Sequence, residues 1–150
     1  MLKELVFAFA LMGLCLVIHI SGMLLLADRL VRRRQILEQR TGSVFVAFLL
    51  SIVFVITIIL HMVEAGLWAV FYLWYGLFNN FETSFYFSLK SYSTVGYGDV
   101  LLPDNWRVLG TVEAISGALL VGLSTAFLFA IINALFQFRL QQLTKRRESG

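Results

Sequence analysis

Apolar and polar positions fall in long blocks along this chain, without the short alternations of a domain that folds in water. Leu5–Ala27 is an apolar run interrupted only by His19, Ser21 and small residues. At 1.5 Å per residue it extends roughly 34 Å, enough to cross a hydrocarbon core of about 30 Å. A polar stretch follows, Asp28–Ser43, carrying Arg29, Arg32, Arg33, Arg34 and Arg40. Val44–Tyr75 is a second apolar run, long enough to cross with tilt. Trp68, Trp74 and Tyr75 crowd its far end, as an interfacial aromatic belt would. Asn79–Ser93 is amphipathic and too short to span, while Trp106–Phe138 is a third crossing. The pattern predicts an all-α membrane protein with three transmembrane helices and one short helix between the second and third.

Composition sharpens this picture. The chain has 150 residues, 59% of them hydrophobic and only 14% charged, far from ordinary globular usage. Its net charge of +3 comes from basic residues beside the apolar runs, which fits membrane topology and excludes a nucleic-acid surface. Cys15 is the single cysteine, so no intrachain disulfide can form. The first run is longer than a signal-peptide core, and Asp-Arg-Leu-Val-Arg-Arg-Arg follows it in place of a small-residue cleavage site. It is therefore expected to stay as a membrane helix.

The arginines set the orientation. The linker after the first crossing and the tail with Arg139, Lys145, Arg146 and Arg147 fall on one side if there are three crossings. Basic residues near membrane spans collect on the cytoplasmic side. The N-terminus and residues 79–105 then lie outside and the C-terminus lies in the cytoplasm. The expected divisions are an N-terminal helix at 1–27, a basic linker at 28–43, a pore domain at 44–138 and a basic tail at 139–150. Within the pore domain the outer helix is 44–75, the short helix and its loop 79–99, and the inner helix 106–138.

Chemistry concentrates in the loop after the short helix, Ser93-Thr94-Val95-Gly96-Tyr97-Gly98-Asp99. A cation leaves water only where a ring of oxygens replaces its hydration shell, and consecutive backbone carbonyls aimed at one axis supply such rings. Aiming them alike demands alternating left- and right-handed backbone, which glycine accepts without a Cβ clash. Gly96 and Gly98 stand two apart, as that alternation requires. Val95 and Tyr97 are expected to point backward and wedge the loop open. The preceding helix, expected from about Asn80 to Tyr92 with Asn79 and Glu82 as its cap, would aim its partly negative C-terminus at the ion. Re-entrant backbone survives in a bilayer only when buried in protein or lining water, so other subunits must surround the loop.

Span, pore helix, Thr-Val-Gly-Tyr-Gly-Asp and span together resemble the two-transmembrane, one-pore-loop potassium channels over roughly Val44 to Phe138. The resemblance implies a homotetramer passing K+ through a selectivity filter, with K+ held at Thr94, Val95, Gly96 and Tyr97 and Gly98 completing the loop. It also implies that Phe85-Tyr86-Phe87 forms an aromatic cuff, that Trp106-Arg107 starts the inner helix, and that Gly117 and Gly122 are hinge glycines of that helix. Lys90, Ser93 and Asp99 are expected to support the filter. Lys90 either snorkels or pairs with Asp99 or Glu113. Val121, Thr125, Phe129 and Asn133 recur every four residues, and the resemblance puts their stripe on the pore axis, with Thr125 and Phe129 at an inner gate.

The N-terminal helix departs from the minimal plan of that family. No arginine series lies inside a span, so a voltage sensor is not expected. His61, Glu64 and Glu113 are intramembrane polar residues, and His61 and Glu64 share one helix face. Di-metal carboxylate bundles use the order Glu-x-x-His, and only one pair, in reverse order, is present. A hydrogen bond or ion pair between helices is the simpler expectation, and His19 is read as a helix-packing donor. No nucleophile–base pair points to an enzyme and no resident cofactor is expected; K+ is the permeant ligand, and the partners are lipid and further copies of the chain. The alternative function is a non-selective cation channel or an accessory pore subunit, against which Tyr97 argues.

Overall fold

The computed structural model describes residues 2–32 and 43–148. Arg33, Arg34 and Arg40 of the expected basic linker lie outside these residues. Helix α1 is Leu2–Arg32, α2 is Ser43–Trp74, α3 is Phe81–Tyr92, and α4 is Arg107–Glu148 after a short 3-10 turn at Asp104–Trp106. The described residues contain no strand, and α1, α2 and α4 are each long and apolar enough to cross a membrane.

Three boundaries differ from the sequence reading, each for a local reason. Helix α1 continues past Ala27 because Asp28 and Arg32 pair at 2.7 Å one turn apart, with Arg29 and Arg32 at its negative end. The inner helix runs on to Glu148 instead of stopping at Phe138, since no glycine or proline interrupts the Gln, Leu, Lys and Arg residues before Gly150. The cap of α3 is Asn80, not Asn79. Asn80 is extended (φ −150°, ψ 161°), and its Oδ1 accepts the Thr83 N–H at 2.8 Å. Glu82 then falls one position early for a reciprocal capping bond. At the end of α2 the N–H groups of Gly76 and Leu77 bond the carbonyls of Leu73 and Tyr72 at 3.0 and 2.9 Å, which terminates the helix.

The short helix α3 packs against both α2 and α4, while α1 lies against α4 and α2. Trp68, Phe71 and Tyr72 of α2, Phe87 and Tyr92 of α3, and Leu109, Val112 and Leu120 of α4 form the core, joined by Ala8 and Cys15 of α1. Trp68 is wholly buried here, so of the three aromatics expected at the interface Trp74 and Tyr75 remain available. Phe87 meets Tyr72 edge to face, with ring centroids 5.3 Å apart. Just 11% of the most apolar window of α2 is buried within the chain. That leaves a long apolar surface for lipid or for other copies. Lipid tails are as apolar as leucine, so close packing and interhelical hydrogen bonds, rather than water exclusion, hold such helices together.

Gly117 provides the closest approach. A Cβ on it would lie 2.0 Å from the Tyr92 carbonyl oxygen and 2.8 Å from the Tyr92 carbonyl carbon. The absent side chain is therefore what lets the inner helix touch the backbone at the end of α3. Gly122 meets nothing within 4 Å in the chain.

Candidate functional site

The loop starts where α3 runs out of helical hydrogen bonds. Ser93 N–H still reaches Leu89 O at 3.0 Å, and Thr94 N–H reaches Ser91 O at 2.9 Å. The N–H groups of Val95 and Gly96 then converge on Lys90 O at 3.0 and 3.2 Å. Ser93 adds its hydroxyl to Leu89 O at 2.6 Å. The chain is thereby anchored to the last turn of α3 before it leaves.

Beyond that anchor, left-handed backbone occurs at every second residue: Thr94 (φ 61°), Gly96 (φ 48°) and Gly98 (φ 77°). Val95 and Tyr97 between them keep negative φ. No atom lies within 4 Å of a Cβ built on Gly96 or Gly98, so the backbone dihedral, not space, excludes side chains there. Thr94 holds this conformation as a β-branched residue, which places strain at the mouth of the loop. Val95 and Tyr97 are 52% and 74% exposed in the chain. Any wedge they provide is therefore not made within one chain.

One flank of the loop is braced by charge. Lys90, buried on α3, donates from Nζ to Asp99 Oδ1, while the Tyr86 hydroxyl donates to Asp99 Oδ2 at 2.7 Å. The Lys90 ammonium also lies 4.3 Å from the Tyr86 ring centroid and 5.9 Å from that of Tyr97. Of the two acids considered for Lys90, Asp99 is the one it meets. The hydrogen bond from Lys90, followed by that from Tyr86, pulls the Asp99 carboxyl down from its usual 3.8 to about 2.

Behind the loop, two buried carboxylates tie the helices together. Glu113 of α4 accepts the Tyr72 hydroxyl on Oε2 at 2.6 Å and meets the Ser88 hydroxyl through Oε1. Ser88 also bonds Ala65 O at 2.6 Å. Glu64 of α2 bonds His19 Nδ1 of α1 through Oε1 at 2.8 Å and accepts the Tyr92 hydroxyl on Oε2. His61, on the same face, reaches Tyr92 Oη at 2.9 Å and Ser124 Oγ at 3.0 Å, and Ser124 Oγ lies 3.0 Å from His19 Nε2. His19, His61 and Glu64 are metal-ligating residue types with donor atoms within 4.8 Å of one another. Each of those atoms is already engaged by another member of the cluster or by Tyr92 or Ser124.

Sequence reasoning named Glu64, His61 and Glu113 but not the partners Tyr72, Ser88, Tyr92 and Ser124. The available signal was that each is a hydroxyl within or beside a span, where polar atoms seek partners. The expected gate residues lie on α4, and Thr125 returns its hydroxyl to Val121 O at 2.9 Å. Val121, Thr125, Phe129 and Asn133 are all exposed in the chain. The stripe therefore faces something other than this chain's own helices.

No curated protein and no solved structure matches the chain. The family profile described as ion channel matches residues 58–134, just over half of its length. The matched segment runs from Ile58 of α2 through α3 and the alternating loop to Ala134 of α4, and the chain belongs to the ion channel family.

Proposed function

We propose that the protein is a potassium-selective channel in which four copies surround one axis and K+ passes down its gradient between their loops. The observation that carries this reading is the Thr-Val-Gly-Tyr-Gly-Asp loop at the C-terminus of α3, with left-handed backbone at Thr94, Gly96 and Gly98. Carbonyls of Thr94, Val95, Gly96 and Tyr97, with the Thr94 hydroxyl, replace the hydration shell of the ion. One chain supplies one loop and a closed ring needs several, so cyclic symmetry follows from the chemistry. The exposed Val95 and Tyr97 and the apolar surface of α2 support that assembly. The arginines of the linker and tail favour an N-terminus outside and a C-terminus in the cytoplasm.

Proteoliposomes test this directly. Vesicles loaded with K+ should release it through the purified protein, vesicles loaded with Na+ should not, and the solubilised assembly should have four times the mass of one chain. Equal release of both ions, or a stable monomer as the conducting species, would contradict the proposal.

A further inference from the structure

The cluster behind the loop closes on itself. Glu64 bonds His19, His19 bonds Ser124, Ser124 bonds His61, His61 bonds Tyr92, and Tyr92 bonds Glu64. The ring joins all four helices: His19 from α1, His61 and Glu64 from α2, Tyr92 from the end of α3, and Ser124 from α4. His19 and Glu64 are wholly buried, and Tyr92 stands two residues before Thr94.

Hydrogen bonds need hydrogens, and these can be counted. Five ring contacts require five shared protons, one each, and the longer approach of His61 Nδ1 to Glu64 Oε2 at 3.3 Å shares the proton of the His61–Tyr92 contact. Two neutral imidazoles, one serine and one tyrosine each bring one, and an ionised carboxylate brings none. The sum is one short whichever way round the ring the bonds run. When Tyr92 donates to Glu64 and the other donors run the same way round, the contact left unmade is that between His19 Nδ1 and Glu64 Oε1, lone pair to lone pair at 2.8 Å. With one more proton every contact is made and the ring carries no net charge, the form best suited to a low-dielectric interior.

We propose that this ring is a proton-binding site, holding one proton in the His19–Glu64 contact, and that this proton fastens the N-terminal helix to the residues that support the filter. The other titratable groups acting on the ring are Cys15, one turn before His19 on α1, with Sγ 4.0 Å from Glu64 O, and Glu113 on α4. Glu113 is occupied by Tyr72 and Ser88, so neither supplies the missing bond. Losing the proton breaks the direct polar link between α1 and α2 in the ring. The site stands independently of which ion the pore passes.

Glu64→Gln separates this reading from a merely structural cluster. In that variant the side-chain amide donates its own N–H to His19 Nδ1, and its carbonyl accepts the Tyr92 hydroxyl, so the ring closes with two neutral imidazoles and no added proton. His19 and His61 are the only histidines in the chain, so 15N-histidine spectra of the protein in lipid bilayers report the ring alone. Over the pH range in which the fold persists, the wild type should lose one proton in a single step as pH rises. Glu64→Gln should be flat over that range. Ser124→Ala removes two contacts, leaving three that three protons already satisfy, and should weaken proton binding by about tenfold, one pH unit. Two histidines titrating independently in the wild type would overturn the proposal. So would a Glu64→Gln protein that keeps the wild-type step, or a Ser124→Ala protein with an unmoved one. Stoichiometric Zn2+ shifting both histidines would make the cluster a metal site and would also overturn it.

Discussion

Gly117→Ala is the perturbation whose consequence the packing fixes most sharply. The added Cβ would sit 2.0 Å from Tyr92 O, while ordinary contact begins at 3.4 Å, so the two elements must separate by 1.4 Å along that direction. The opposing atom is a backbone carbonyl and cannot rotate away as a side-chain tip would. Nor can the end of α3 shift freely. Tyr92 is held by Glu64 and His61, and Ser88, one turn earlier, by Ala65 and Glu113. Overpacking of this kind costs roughly 1–3 kcal/mol, and a rigid contact belongs at the upper end. Replacing glycine by alanine inside a helix returns about 1 kcal/mol. The net is a destabilisation of about 2 kcal/mol, a factor of roughly 30 in the folding equilibrium. Unfolding of the detergent-solubilised protein by increasing SDS, followed by circular dichroism, measures it. Gly122→Ala is the matched control, since its Cβ meets nothing in the chain and the gain in helix propensity is unopposed there. If Gly117→Ala proved as stable as the wild type, or if the two variants behaved alike, the close-packing account of this residue would be refuted.

Four further outcomes follow. In a double-mutant cycle, Lys90→Met and Asp99→Asn should each weaken the conducting state, with the double variant losing less than the sum; additive losses would reject the brace. Because the Asp99 carboxyl is depressed to about 2, its stabilisation is fully present above its ordinary 3.8 and disappears as pH falls through about 2; a brace already lost at pH 5 in wild-type recordings would contradict this sign. Asp104→Cys, in an exposed turn, should react with an impermeant thiol reagent applied outside and Ser43→Cys should not, whereas reaction of Ser43→Cys alone would invert the topology. Phe129 is 69% exposed in the chain, and Phe129→Ala should raise resting conductance without changing selectivity if four such rings form a dewetting constriction; an unchanged open probability would move the gate elsewhere.

Much of the architecture was legible because the membrane imposes it. Apolar runs of spanning length, one shorter amphipathic helix and the glycine spacing of the loop all depend on local sequence. What was not legible depends on how helices rotate against one another. Trp68 reads as an interfacial aromatic beside Trp74, yet its face of α2 turns inward and buries it. His19 and Glu64 are separated by 45 positions, and nothing in either local pattern shows that α1 brings them together. Gly117 reads as a hinge through its family position, and nothing in the local sequence shows that it is also the contact point for the backbone of α3. Asn79 and Asn80 are equivalent caps in the sequence, and the choice is made by which side chain reaches the Thr83 N–H.

The central claim is that backbone carbonyls between Thr94 and Tyr97 select potassium, and the reversal potential of reconstituted single channels in mixed K+ and Na+ tests it most directly. That potential should follow the K+ gradient and ignore Na+. The current should also be lost in Gly96→Ala, where a Cβ penalises a left-handed residue by about 1–2 kcal/mol in each subunit. A reversal potential shared between the two ions, or selective current undiminished in Gly96→Ala, would contradict the claim.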